Sequence, residues 1–262
     1  MTAQPPFPQL DELRRLIDAI DDSILDLLQK RFHAVQGVKA AKTTDTGGWP
    51  SPLRPAREMQ ILKRLIGQSD GSAPPETLVR VWRGIVTEST LRQSPVTIHL
   101  PRKLAASVPD RLVLRDYFGR FEVAECRDEA QALVQVNVAP GDLCVLETGS
   151  PWIEPFLEGK GGKAQVIGTL PVMKAGETPQ LLVFGVAPAQ ATGEDETLLI
   201  TRGSLPRDFA VQPLWQMKNG PFRLSALAGF FSEHESPLVG VMRSNPGLGL
   251  IAVGRYPSAI SN

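Results

Sequence analysis

The chain has 262 residues and a formal net charge of zero, from 28 basic and 28 acidic side chains. This balance argues against a nucleic acid or an anionic membrane as a main partner, because surfaces that bind polyanions need a basic excess. Two cysteines are too few for a disulfide framework or a cysteine metal cluster. The sequence contains no run of about eighteen apolar residues, so it predicts no membrane-spanning helix. The first residues, MTAQPPFPQ, lack the pattern of a signal peptide, so we expect a cytoplasmic protein.

Residues 10–42 predict one long helix, because they contain no proline and only one glycine, Gly37. Their apolar side chains recur at three- and four-residue steps, which places them on one stripe. At about 1.5 Å per residue the helix would span roughly 50 Å, longer than a small domain is wide. We therefore expect the stripe to pack against its copy in a second chain. The stripe is formed by Leu10, Leu13, Ile17, Ile20, Ile24, Leu27, Leu28, Phe32, Val35 and Val38.

Two shorter helices are predicted to follow. Residues 1–8 read as a loose arm and residues 43–54 as a loop, since both are rich in proline or glycine. Proline suits the first turn of a helix, and the predicted helices, 55–67 and 75–93, both begin at a proline. The apolar stripe of the third helix ends in polar side chains, which suggests a bound polar ligand. The inward positions are Met59, Ile61, Leu62, Leu65 and Ile66, then Leu78, Trp82, Ile85 and Val86, with Ser89 and Gln93 at the polar end.

From about residue 95 onward, short apolar runs alternate with candidate helices, which predicts an α/β domain. The predicted strands are 96–100, 121–126, 142–147, 164–168, 180–186, 197–202 and 248–255, and the candidate helices include 128–136 and 223–231. The predicted organisation is therefore two domains, an all-α domain at 1–94 and an α/β domain at 95–262.

The spacing of three basic residues on the long helix indicates which of them can reach one ligand. Arg31 and Lys42 flank one stripe about 16 Å apart along the axis, close enough to converge on one small ligand. Arg14 is about 25 Å from Arg31 and rotated by roughly 100°, so it can serve the same pocket only from another chain. Together with the shorter helices, the candidate set is Arg14, Arg31, Lys42, Arg57, Glu58, Ser89 and Gln93.

Residues 10–93 resemble the all-helical class of chorismate mutases. The resemblance is carried in order by LxxLRxxIDxIDxxILxLLxxR, VKAAK, PxREMxILxRL and IVTESTLRQ. It implies a three-helix mutase domain that interlocks with a second copy into a dimer, with one Arg of each site donated by the partner. It also implies that residues 1–94 suffice for catalysis. Arg54 departs from the pattern, because several members carry an acid there.

The implied reaction is the Claisen rearrangement of chorismate to prephenate, which needs no cofactor, metal or nucleophile. The enzyme has to hold the reactive conformer and stabilise charge on the breaking ether oxygen. By resemblance, Arg14 of the partner chain and Arg31 would bind the carboxylates through bidentate guanidinium contacts. Lys42 and Gln93 would donate hydrogen bonds to the ether oxygen.

The resemblance also assigns the remaining candidates. Glu58 would bind the ring hydroxyl, and Arg57 and Ser89 would complete the surroundings of the carboxylates and hydroxyl. Two alternatives stay open at this point. An isochorismate pyruvate-lyase could use a similar clamp on the same scaffold, although the Arg57-Glu58 pair and the Ser89-to-Gln93 spacing favour the mutase. The chain could also be a non-catalytic sensor of an aromatic metabolite.

The second domain is similar to prephenate dehydratase in residues 116–150 and in the closing GRYPSAI. Where a Thr-Arg-Phe catalytic motif is expected, before the strand at 180–186, the chain has Thr178-Pro179-Gln180 without the arginine. LPRKLAAS replaces the glycine-rich opening at 100–107. We therefore expect a degenerate dehydratase-like domain that acts as a scaffold or binds a regulatory ligand. The histidines, His33, His99 and His234, are scattered and predict no metal site.

Overall fold

The structure is a computed structural model, and it describes residues 10–43 and 53–261, with side chains described for 10–37 and 53–261. The predicted arm at 1–8 and most of the predicted loop at 43–54 lie outside these ranges. The chain divides into two compact units, Met1–Gly48 and Trp49–Asn262. Within the described ranges, no helix has the length and apolar character needed to cross a membrane.

The first unit contains helix α1, Leu10–Thr43, which is a single uninterrupted helix. This confirms the long helix predicted from the periodicity. Asp11 and Glu12 lie in its first turn, where acidic side chains complement the positive end of the helix dipole. Most of the apolar stripe is solvent-exposed in the single chain, from 41% at Leu13 to 63% at Leu27.

The second unit begins with helices α2, Pro55–Gln68, and α3, Pro75–Leu91, and both start at a proline as predicted. Both helices bury apolar side chains in the same core as strands of the following sheet. Leu53, Met59, Leu62 and Val79 belong to this core cluster together with Ile98. The compact unit therefore begins before α2, whereas the sequence predicts a boundary between residues 94 and 95. The physical reason is that α2 and α3 pack their apolar side chains against the α/β region, which is the part of the second unit from residue 95 onward.

The rest of the second unit is a mixed sheet with short helices, which confirms the predicted α/β class. The sheet has nine strands in the order β2-β1-β3-β5-β4-β9-β6-β8-β7. The strands are β1 Thr97–Pro101, β2 Glu122–Cys126, β3 Leu143–Glu147, β4 Gln165–Leu170, β5 Leu181–Gly185, β6 Asp195–Thr201, β7 Pro213–Asn219, β8 Phe222–Ala228 and β9 Ile251–Pro257. The helices are α4 Arg102–Ala106, α5 Val108–Phe118, α6 Glu129–Val138, α7 Ile153–Leu157 and α8 Leu238–Ser244, with a 3-10 turn at Pro246–Leu248.

Helices cover both faces of the sheet. Along β3, Cys144 and Leu146 join one core cluster while Leu143 and Val145 join the other, as expected for side chains that alternate between faces. Helices α6 and α7 contribute to the first cluster, and α2, α3, α4 and α5 contribute to the second. The two helices that follow α1 in sequence are therefore part of one layer of the α/β unit.

The sheet has two halves that meet at strands β4 and β9. Their pairing is parallel and consists of Val166 with Gly254. A Cβ atom at Gly254 would overlap the Val166 carbonyl group, whereas a Cβ atom at Gly168 would meet no atom within 4 Å. Glycine is therefore required where the two backbones approach each other.

The helix predicted at 223–231 is wrong, because Phe222–Ala228 forms strand β8. This strand pairs with β6 on one side and with β7 on the other. A two-residue loop, Gly220-Pro221, joins β7 to β8, and Gly220 has a φ of +59°. Glycine at the first central position of such a loop is typical of a hairpin. Leu and Ala favour helices, but pairing on both sides outweighs that weak preference.

Candidate functional site

The seven candidate residues are distributed over both units. Helix α1 of the first unit contains Arg14, Arg31 and Lys42. Helices α2 and α3 of the second unit contain the others, with Gln93 two residues past the end of α3: Arg57, Glu58, Ser89 and Gln93.

The basic residues of α1 differ in exposure. Arg14 is exposed, and its guanidinium lies 3.3 Å from the Asp11 carboxylate one turn earlier. Arg31 is half-buried, and this burial lowers the pKa of its guanidinium. The helix backbone includes Lys42, but its side chain lies outside the described residues.

Neighbouring positions on α2 have opposite environments. Arg57 is exposed, whereas Glu58 is only 8% exposed. The Glu58 Oε1 atom accepts a long hydrogen bond, 3.4 Å, from the backbone N–H of Arg54. Its other oxygen, Oε2, lies 2.5 Å from the Nη1 atom of Arg83. Glu58 is therefore held from both sides by groups of the second unit.

Arg83 connects α2 and α3 to helix α5. Its Nε atom donates a hydrogen bond of 3.0 Å to the backbone carbonyl of Tyr117, and its guanidinium carbon lies 3.6 Å from the centroid of the Tyr117 ring. Burial raises the pKa of the Tyr117 hydroxyl. The contacts to Glu58 and Tyr117 offset the cost of burying a charged residue that is only 2% exposed.

Ser89 and Gln93 are brought together at the end of α3. The Gln93 side-chain amide donates a hydrogen bond of 3.0 Å to the backbone carbonyl of Ser89. The Ser89 hydroxyl is buried and donates to the Ile85 carbonyl over 2.7 Å. A serine and an amide therefore lie one turn apart, as the sequence spacing predicts.

Sequence reasoning overlooked Arg83 and Tyr117. The signal for Arg83 was present, because Val79, Arg83, Val86 and Thr90 recur at spacings of four, three and four, and all four are buried. A charged residue on a buried stripe predicts a buried counter-charge. No pattern in the sequence indicates that Tyr117, 34 residues later, supplies the ring and carbonyl.

The second unit has a cavity of about 460 Å³ that is lined in part by Thr178, Pro179 and Gln180. No arginine lines it among the described residues. Glu196 lies at its wall, where burial raises the pKa of its carboxyl group. The position that the sequence comparison expected to carry a catalytic arginine therefore faces a cavity without one. Elsewhere in the described ranges, no cluster of three or more His, Cys, Asp or Glu side chains could hold a metal ion.

The N-terminal helices match the model of a known protein family. Residues 13–94 match the family model described as chorismate mutase type II. The match extends over α1, α2 and α3, and it confirms the resemblance that the sequence pattern indicated.

The curated relatives that this chain matches are named for two activities, chorismate mutase and prephenate dehydratase. A bifunctional chorismate mutase/prephenate dehydratase of Pseudomonas aeruginosa is 30% identical over 92 residues, which cover 34% of this chain and 25% of that protein. The protein of the same name from Neisseria gonorrhoeae is 32% identical over 93 residues, covering 34% of this chain and 24% of the relative. The chain thus spans about a quarter of the length of the curated relatives that it matches.

Solved structures similar to this chain have low sequence identity. A protein described as GqqA, a novel type of quorum quenching acylase, has a TM-score of 0.42 and 16% identity, over 62% of this chain and 95% of that one. Prephenate dehydratase from Streptococcus mutans has a TM-score of 0.39 and 9% identity, over 64% of this chain and its whole length.

Proposed function

We propose that the protein is a chorismate mutase that converts chorismate to prephenate in the cytoplasmic biosynthesis of phenylalanine and tyrosine. The observation that carries the proposal is the family match of residues 13–94, which includes all seven candidate residues. The reaction is unimolecular, so the residues have to bind, orient and stabilise charge without a cofactor.

Each candidate has a role that suits its chemistry. Arg14 and Arg31 bind the two carboxylates of chorismate, for which the guanidinium fork is the best match. Lys42 and Gln93 donate hydrogen bonds to the ether oxygen, where negative charge develops as its bond breaks.

The remaining candidates surround the rest of the substrate. Glu58 accepts a hydrogen bond from the ring hydroxyl, while Arg57 and Ser89 complete the surroundings of the carboxylates and hydroxyl. The buried position of Glu58 supports this role, because a carboxylate out of bulk water makes stronger hydrogen bonds to a ligand.

We further propose a homodimer in which Arg14 is donated across the interface. The exposed stripe on α1 supports this, since monomeric proteins rarely expose such a long apolar surface. The spacing between Arg14 and Arg31, about 25 Å along one helix, supports a contribution from the second chain.

The test is the disappearance of chorismate with purified protein, with prephenate and pyruvate quantified separately. We expect prephenate without free pyruvate, and a loss of at least about a thousandfold in kcat/KM in both Arg31→Ala and Lys42→Ala. The exposed Lys30→Ala, on the same helix, serves as the matched control and keeps wild-type turnover. Free pyruvate released when isochorismate is supplied in place of chorismate would favour the lyase, and a folded dimer without turnover on either substrate would favour the sensor.

A further inference from the structure

Helix α3 is joined to helix α5 of the α/β region by a buried chain of contacts. The chain begins at Tyr117, passes through the Arg83 guanidinium and ends at the Glu58 carboxylate on α2. Both charged side chains are nearly inaccessible, with side-chain exposures of 3% for Arg83 and 11% for Glu58.

The geometry restricts the carboxylate more than a single ion pair does. Glu58 extends from α2, Arg83 extends from α3, and the ring and carbonyl that hold Arg83 belong to α5. Because the guanidinium is planar, a ring against its face and a carbonyl at Nε together fix the direction of its remaining donors. The Nη1 atom then holds Glu58 Oε2, so the orientation of the carboxylate depends on α5.

We infer that Arg83 is a positioning residue for the mutase reaction, and that Tyr117 of the α/β region aligns Glu58 through it. The inference rests on the proposed function, because Glu58 is there the acceptor for the ring hydroxyl of chorismate. It gives the α/β region a role in forming the substrate site that does not require the region to have a reaction of its own.

An exposed ion pair between α3 and α5 provides a matched control. Arg80 lies three residues before Arg83 on α3, and its guanidinium is 3.0 Å from the Asp116 carboxylate on α5. Both of these side chains are more than half exposed, and their pair does not involve Glu58. Removing this pair takes away one link between α3 and α5 without changing the buried chain.

The experiment uses the whole chain and measures three variants: Arg83→Met, Glu58→Gln and the double variant that combines these two changes. Arg80→Met is the control. We expect Arg83→Met and Glu58→Gln each to lower kcat/KM by roughly 10- to 100-fold, because each removes a charge-assisted hydrogen bond. The two losses should divide between kcat and KM in the same way. The double variant should lose little more than either single variant, since Arg83 acts only through Glu58. Arg80→Met should stay within about twofold of wild type.

Three further variants separate positioning from folding. Tyr117→Phe keeps the ring and the carbonyl and should therefore lose much less kcat/KM than Tyr117→Leu. Tyr117→Leu removes the ring face and should lose activity in the same parameter as Arg83→Met, whereas Arg83→Lys, which cannot contact both partners in the same way, should recover only part of the loss. Thermal unfolding of each variant shows whether it is folded at the assay temperature.

Additive losses in the double variant, or a folded Tyr117→Leu variant with wild-type kinetics, would overturn the inference while leaving the mutase assignment intact. A wild-type protein that forms no prephenate would overturn both. These two failures are distinguishable because the second appears before any variant is made.

Discussion

At the scale of single residues, the identity of position 93 carries a mechanistic consequence. Gln93 lies just past α3, one turn from Ser89, and its side chain is an amide. An amide donates a hydrogen bond without taking up a proton. A carboxylic acid in the same position can donate only when it is protonated. In the role proposed for position 93, the residue type would therefore set how the reaction depends on pH.

We predict a flat profile of kcat/KM between pH 6 and 8 for wild type and a falling one for Gln93→Glu. An ordinary glutamate has a pKa near 4.3, so the protonated fraction of the variant decreases by about tenfold per pH unit over this range. The measurement is the initial rate of prephenate formation at several pH values, with circular dichroism to monitor folding. Gln60→Glu, an exposed change on α2, is the control. A steep loss in wild type with unchanged folding would exclude this role for Gln93.

At the scale of secondary-structure elements, α1 and the centre of the sheet pose different packing problems. Helix α1 exposes most of its apolar stripe in the single chain. Strands β4 and β9 instead approach so closely that one of them requires glycine. At the centre of the sheet, the neighbouring strand decides which residue is tolerated.

For α1, we predict that Ile24→Glu weakens the dimer and lowers mutase activity. A charge in the middle of a buried apolar interface loses its hydration without gaining a partner. Gln29→Glu adds the same charge about 140° away around the helix and should leave the dimer intact. Sedimentation velocity at several concentrations measures the association. A wild-type monomer, or an Ile24→Glu dimer as strong as wild type, would contradict the proposal.

For the sheet, we predict that Gly254→Ala destabilises the fold by at least about 2 kcal/mol, because its Cβ atom would displace the Val166 backbone. Gly168→Ala, on β4, adds the same methyl group into open space and should change stability by less than about 1 kcal/mol. Urea unfolding followed by fluorescence gives both values. Equal effects of the two substitutions would show that the β4–β9 approach does not require glycine.

At the scale of the whole molecule, the second unit includes two of the three helices of the family match. Four apolar side chains at the start of this unit are buried in a core that the sheet helps to form: Leu53, Met59, Leu62 and Val79. This packing bears on the expectation that residues 1–94 suffice for catalysis, because a fragment of those residues would lose apolar contacts with the sheet.

We predict that the fragment 1–94 unfolds more readily than the full chain and forms prephenate at least about tenfold more slowly. Burial of each large apolar side chain contributes roughly 1.5 to 3 kcal/mol, so losing cover from the sheet removes a large part of the stability of α2 and α3. Thermal unfolding and the prephenate assay, performed at equal protein concentrations, test this. A fragment with the melting temperature and turnover of the full chain would contradict it.

The sequence alone determined the three helices, the α/β class of the rest and the mutase resemblance, because periodicity and ordered motifs are local properties of the chain. It did not determine that Phe222–Ala228 is a strand, since pairing with β6 and β7 outweighs the helix preference of that segment. Nor did it reveal the link between Glu58, Arg83 and Tyr117. Glu58 and Arg83 are 25 positions apart in the sequence, and Arg83 and Tyr117 are 34 apart. Only tertiary packing decides which buried charge meets which partner, because the direction of a side chain depends on the neighbouring helix.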